Sequence, residues 1–299
     1  MHRKAYALLL ATMLFWAGNA IAGKLAIGHV SPMLLSGVRW ALAMVVLAAV
    51  GWRRLVADWP VLRRHFWFLM LLGLLGFTIF SVAMYGALLY TSATNVSIEQ
   101  GGMPLFVFAA SFALFRTRAT PAQLLGFLLS FAGVAVTASN GEMRALLHLD
   151  MNFGDALMLL AIVSYGIYTA ALRFRPRVHW ISLMTALCLG ATLSAVPFVV
   201  AEAAAGALIL PDPVGYAVIF YAVVFPSLLG QVFYIRAVEI IGANRAGLFI
   251  NFLPLWGAVL AVLILDEAFR PYHALALALV LGGVLLAEYS GRRTALPPP

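Results

Sequence analysis

The chain has 299 residues, 64% of them hydrophobic and only 10% charged, with a mean hydropathy of +1.00. Soluble domains carry roughly 45–50% apolar and about 25% charged residues, so a soluble fold is excluded and a polytopic membrane protein is expected. The net charge of +8 does not point to nucleic acid, because the arginines cluster between apolar runs as orientation signals, and the single Cys188 allows no intrachain disulfide.

A helix needs about 20 apolar residues, each rising about 1.5 Å, to cross a hydrocarbon core of about 30 Å. Ten such spans follow in chain order, near residues 5–28, 32–52, 66–90, 94–116, 121–139, 151–172, 178–201, 214–236, 244–265 and 271–289. The first imitates a secretory leader, with MHRK at its start and a small-residue AIA at 20–22. It is read as a span, because it has a partner in an internal repeat. The longest connections, WRRLVADWPVLRRH and SNGEMRALLHLDM, are too short for a soluble domain.

Of the 19 Lys and Arg, fifteen fall on the side of the N-terminus and two, Arg144 and Arg270, on the other, with Lys24 and Arg39 inside spans. That bias predicts both termini in the cytoplasm. Sliding the chain against itself by 150 residues aligns Pro104 with Pro254, Pro121 with Pro271 and Gly133-Val134 with Gly283-Val284; near the same offset Trp16 meets Tyr165. The expected fold is therefore an all-α membrane protein of ten transmembrane helices in two five-helix repeats, 1–148 and 149–299. Five is odd, so the second repeat must insert upside down, as in secondary transporters that bind substrate near the midplane.

Three segments also carry a resemblance: LFWAGNAIAGKLA, YTSATNVSIEQGGMPLFVFAASFALF and LILDEAFRPYHALALALVLGGVLL. They resemble the two-repeat EamA-type members of the drug/metabolite transporter superfamily. The most specific features are Trp16, the mid-helix prolines 104 and 254, and Glu267 followed by Gly283-Val284. The family pattern also expects a glutamate where this chain has Thr117. The resemblance implies export of small metabolites, including amino acids, or of lipophilic cations across the bacterial inner membrane, with amino-acid exporters of the YddG type nearest.

Candidate binding residues come from polar side chains that share helix faces. Trp16 and Asn19 form a short stripe on helix one, Thr78, Ser81 and Tyr85 one on helix three, Tyr165 and Tyr168 one on helix six, and Ser227, Gln231 and Tyr234 one on helix eight. An interfacial aromatic belt is the competing reading for Tyr168 and Tyr234. Asn251 on helix nine suits either a ligand or a neighbouring helix.

The stretch NVSIEQGGMPLF adds Glu99, Gln100 and Met103, with Gly101, Gly102 and Pro104 as a hinge. Pro104 cannot donate to the carbonyl of Gln100, so helix four should kink just after Glu99, and Pro254 should do the same to Ile250 in helix nine. Glu99 and Arg39 are each expected roughly 7–10 Å below the outer surface, in one layer with Lys24 near the outer end of helix one. It either neutralises one of those cations or faces a vestibule to bind a substrate ammonium or a proton. Arg39 and Lys24 are expected to one side of the cavity, which ranks amino acids and hydrophobic cations above phosphorylated substrates. Gly102→Trp is expected to block the cavity with the fold intact.

No metal or cofactor is expected, since no histidine pair has ligand spacing. The run GNAIAGKL lacks the Ser or Thr of a phosphate loop. Asp266 and Glu267 read as a helix cap or fold signature, and Ala274, Ala278 and Gly282 as a close-packing stripe within the scaffold or at a dimer contact, so a monomer or weak homodimer is expected. The leading reading is a secondary transporter acting by alternating access on a small-molecule substrate in the lipid bilayer. The rivals are an integral-membrane enzyme, a phosphorylated-metabolite antiporter and a channel, of which the enzyme is disfavoured for lack of a catalytic constellation.

Overall fold

The structure, a computed structural model, describes residues 2–116, 120–142, 152–242, 245–246 and 248–294, with no account of side chains at 248 and beyond 287. The expected repeat boundary at 148/149, Thr117 and Arg144 lie outside the described residues. Those residues form helices throughout, with no strand among them.

Eight helices are long and apolar enough to cross a membrane: α1 (His2–Leu25), α2 (Pro32–Arg64), α3 (Phe66–Ala87), α4 (Ala93–Phe115), α5 (Pro121–Ala138), α6 (Phe153–Phe174), α7 (Trp180–Ala204) and α8 (Pro213–Ile241). Two further helices complete the set, α9 (Phe249–Leu265) and α10 (Pro271–Thr294). Local sequence fixes many starts. Ser92, Asn152 and Asp212 accept from backbone N–H groups of the first turns of α4, α6 and α8, Thr120 and Gln123 form a capping box on α5, and α2, α5, α8 and α10 begin with proline.

One boundary differs substantially from expectation. Residues 52–64, read as a connection, continue α2 as helix to Arg64 across Pro60. The run has no glycine, and Leu62 is buried with the cluster around Leu69 and Ile181. Asp58 on this extension also accepts the backbone N–H of His179, at 3.0 Å, just before α7.

Helix pairing obeys an exchange of the two halves. α3 packs on α6 as α8 packs on α1; α4 packs on α6 as α9 packs on α1; and α3 packs on α7 as α8 packs on α2. Equivalent helices also meet each other directly, in opposite directions. Gly126 lies against Gly283 and Ala287, and Gly133 against Ala276 and Val280, so α5 and α10 are antiparallel. Gly37 faces Ala195 while Gly51 faces Ile181, which makes α2 and α7 antiparallel as well. The repeats are thus related by a rotation about an axis across the bundle, the inverted arrangement that five helices per repeat require.

The glycines matter because a Cβ on Gly283 would meet the Gly126 carbonyl and the Ser130 amide. The stripe Ala274, Ala278 and Gly282 does not contribute to this packing. It lies exposed on the other face of α10, with nothing within 4 Å of a Cβ on Gly282. Close packing inside the scaffold is therefore not its role.

Candidate functional site

The polar centre of the molecule is Arg39, which is 5% exposed. Its Nε donates to Ser227 Oγ at 2.7 Å, and Nη1 donates to Tyr85 OH at 2.7 Å and to Asn19 Oδ1 at 3.2 Å. Tyr85 passes its own proton to Asn19 Oδ1 at 2.9 Å, and Ser227 donates to the Ala222 carbonyl. Four helices, α1, α2, α3 and α8, therefore hold one guanidinium entirely with neutral groups. No carboxylate lies within salt-bridge distance among the described residues, and Nη2 carries no hydrogen bond there. Arg39, expected to one side of the cavity, bonds three residues of the predicted polar stripes, because its long stem reaches inward from α2.

Aromatic rings spread from this node. The guanidinium stands 4.4 Å from the Trp40 ring centroid, a cation–π contact, and Trp40 Nε1 donates to Ser81 Oγ at 3.1 Å. Trp40 stacks on Phe77 at 4.4 Å; Phe77 meets Tyr168, Tyr168 meets Tyr165, and Tyr165 meets Phe80, with centroids 5.3–5.7 Å apart. Trp16 and Tyr234 pair at 5.5 Å, with Tyr234 close enough to Tyr165 to interact with it. Tyr168 is buried against Phe77 rather than placed in an interfacial belt. Tyr221 packs against Gly18 and lies near both Arg39 and Tyr85.

Glu99 belongs to a second cluster. It is 1% exposed, neither oxygen has a hydrogen-bond partner, and no cation among the described residues is paired with it. Lys24, the other expected partner, instead donates to the carbonyls of Leu88 and Thr91 at 2.7 and 2.8 Å. Both ion pairs expected for Glu99 are therefore absent from the structure. Its charged neighbour is Asp155 on α6, likewise 1% exposed and without hydrogen bonds, with the Thr91 hydroxyl beside it but outside bonding geometry.

Two helices change character near their prolines. α4 is interrupted at Gly101-Gly102, and its second part, Met103–Phe115, starts with Pro104 in the first turn. α9 passes from a 3₁₀ turn, Leu248–Phe252, to α-helix at Leu253, again with proline next. The two breaks touch: a Cβ on Gly101 would lie 3.0 Å from Pro254 Cγ. A Cβ on Gly102 would lie 2.8 Å from Val134, inside the α4–α5 packing. Gly102→Trp would hence disrupt the fold rather than plug a cavity.

α3 and α8 carry equivalent π-helical segments, Leu74–Ile79 and Val223–Leu229. The carbonyl of Leu75 accepts from Ser164 on α6, and that of Pro226 from Trp16 on α1, so each widened turn is satisfied by the other repeat. Sequence patterns cannot show such turns.

Several candidates do not join the Arg39 node. Thr78 is fully buried and its hydroxyl bridges to Ala191 and Ser194 on α7. Gln100 Nε2 folds back on the Val96 carbonyl, and Met103 packs in the core. Asn251 Nδ2 is buried without a partner among the described residues, and Gln231 is half-buried. Glu267 is a cap, as one expected reading has it: its carboxylate accepts from the N–H groups of Ala93 and Thr94 and from the Thr94 hydroxyl at the start of α4. The groove lined by Phe66, Trp67 and Leu193 is apolar and peripheral, with Trp67 82% exposed. Sequence reasoning missed Trp40, Tyr221 and Asp155. The one available signal was Arg39-Trp40, a cation adjacent to an indole within a span.

This architecture has known counterparts. The model of the EamA-like transporter family matches twice, over residues 3–139 and 152–289. The chain belongs to the EamA-like transporter family. Each match covers one of the antiparallel halves, so the repeat seen in the packing and the repeat of the family coincide. Similar proteins include the "uncharacterized transporter YetK" of Bacillus subtilis, 26% identical over 94% of this chain and 86% of the relative. An "uncharacterized transporter" of Archaeoglobus fulgidus is 29% identical over 96% of this chain and 98% of its own. A crystal structure 22% identical in sequence aligns with a TM-score of 0.64 over 98% of this chain and 99% of its own, a likeness of fold alone.

Proposed function

We propose that this EamA-like transporter exports small amphipathic metabolites, aromatic and neutral amino acids foremost, across the bacterial inner membrane by alternating access, with Arg39 receiving the substrate carboxylate. The observation that carries this reading is a buried guanidinium that has, among the described residues, no anionic partner and an uncommitted Nη2. Burying a cation with neutral partners alone costs several kcal/mol, a cost that a bound carboxylate offsets. The fork of a guanidinium matches a carboxylate in two parallel bonds, and the rings of Trp40, Tyr221 and Trp16 offer apolar surface to a side chain. A lipophilic cation would meet like charge at this node. A phosphorylated substrate, doubly charged, would want more than one guanidinium there.

Alternating access is supported by the antiparallel halves and by their paired breaks and π-segments, which are places where helices can bend. At the end opposite the N-terminus the helices are stitched together. Glu202 accepts from Ser31, Met33 and Leu34, Lys24 reaches Leu88 and Thr91, and Glu267 holds α4. The excess of Lys and Arg at the other end places the termini in the cytoplasm in this reading.

The test is counterflow in proteoliposomes loaded with unlabelled L-phenylalanine. Labelled L-phenylalanine should accumulate transiently, and phenethylamine, which lacks the carboxylate, should compete poorly. Equal competition by the amine would refute the role given to Arg39.

A further inference from the structure

We propose that Glu99 and Asp155 form a proton-binding pair, separate from the Arg39 node, that couples transport to proton movement. The proposal rests on the transporter reading above, but its first test does not.

Both carboxyl groups are 1% exposed, they come from different helices and opposite repeats, and none of their four oxygens has a hydrogen-bond partner among the described residues. They stand on helices that pack together, α4 and α6, and the Asp155 charge bears on Glu99. A buried carboxylate with neither a hydrogen bond nor a counter-ion is costly, and taking up a proton removes that cost. Among the described residues, the two cations expected beside Glu99 are committed elsewhere. Arg39 is held by Ser227, Tyr85 and Asn19, and Lys24 by two backbone carbonyls.

The other titratable groups on the elements around α4 do not change this balance. α5 contributes none along Pro121–Ala138. On α9 and the turn after it, Asp266 sits at the helix end, and Glu267 is occupied by the first amides of α4. Ahead of α10, Arg270 presents its backbone N–H to His273 Nδ1 at 3.0 Å. His273 Nε2 lies 3.1 Å from Asn95 Oδ1, and Tyr272 donates to Asn140. With Nδ1 accepting a backbone proton, His273 is the neutral Nε2–H tautomer, a donor to Asn95 and no counter-ion.

These groups define a route. Asn95 is one turn from Glu99, donates to Thr91 Oγ1, and is bonded to His273, so a polar file runs from the pair toward the end of α10. On the other side, Glu99 immediately precedes the Gly101-Gly102 break that touches Pro254. A bend at that break would carry Glu99 with it. In the cycle, a proton from one side converts a Glu99 carboxylate to the acid, and after rearrangement the same proton leaves to water on the other side. No other bond changes.

Infrared difference spectroscopy of the purified full chain in lipid, perfused between acid and alkaline buffers, tests the pair without any substrate. At neutral pH the carbonyl stretch of a protonated carboxylic acid should be present, shift in D₂O, and vanish in Glu99→Gln. In Asp155→Asn the remaining acid should lose its proton at lower pH, because the neighbouring negative charge is gone. Absence of the band at neutral pH, or a band unchanged by both substitutions, overturns the proposal. In proteoliposomes containing a pH dye, added L-phenylalanine should move protons in the wild type and not in Glu99→Gln. Proton movement undiminished in that variant also overturns it. Failure of phenylalanine to be transported would count against Arg39 and leave the infrared result to decide the pair.

Discussion

Replacement of Arg39 by methionine separates stability from transport. The substitution keeps most of the stem and deletes three hydrogen bonds, each worth about 1.5–3 kcal/mol when one partner is charged. Against that loss, the desolvation of a buried guanidinium, several kcal/mol, is relieved. The partners are not orphaned: Tyr85 still donates to Asn19, and Ser227 still donates to the Ala222 carbonyl. The net cost in stability should be about 0–3 kcal/mol, visible as a modest fall in melting temperature.

The loss for a carboxylate ligand is of another order. Removing one partner of a desolvated charge pair costs about 2–5 kcal/mol. That corresponds to roughly a 30-fold to a few thousand-fold rise in the L-phenylalanine concentration needed for half-maximal counterflow. Arg39→Lys, which keeps the charge but lacks the fork, should fall between. A folded Arg39→Met protein with an unchanged half-saturation would refute the assignment.

Other outcomes follow from individual contacts. Glu267→Ala removes three hydrogen bonds at the start of α4 and should destabilise the protein by about 2 kcal/mol, read by thermal melting in detergent. Gly283→Leu would force a side chain against the Gly126 carbonyl and the Ser130 amide, at a cost of about 3 kcal/mol or loss of the folded fraction on gel filtration. The Asp212 carboxyl is held below the usual carboxylate range, first by the Gly215 amide and then by His29, whose Nδ1 lies 2.7 Å away. Its stabilising contribution is complete above about pH 4 and disappears as pH falls through the depressed value. Asp212→Asn should thus abolish that acid-side decline in a melting series against pH.

Composition and periodicity alone determined that this chain is a membrane protein of duplicated halves, because hydrocarbon admits only long apolar helices and an odd repeat must invert. Proline chemistry likewise singled out helices four and nine, since a missing N–H acts within one turn of the chain. The partners of Arg39 and Glu99 were beyond that reach. Arg39 and Glu99 lie at similar depth, and one-dimensional reasoning pairs them; only helix rotation and packing decide that the guanidinium meets Asn19, Tyr85 and Ser227 while the carboxyl is buried apart from it. The fate of Thr78 has the same origin. A polar stripe shows which residues share a face, but its direction toward α7 was set by the close approach of Gly73 to Leu187 and Ala191, a contact between distant segments. Depth is written along the chain, whereas azimuth is fixed by the neighbours.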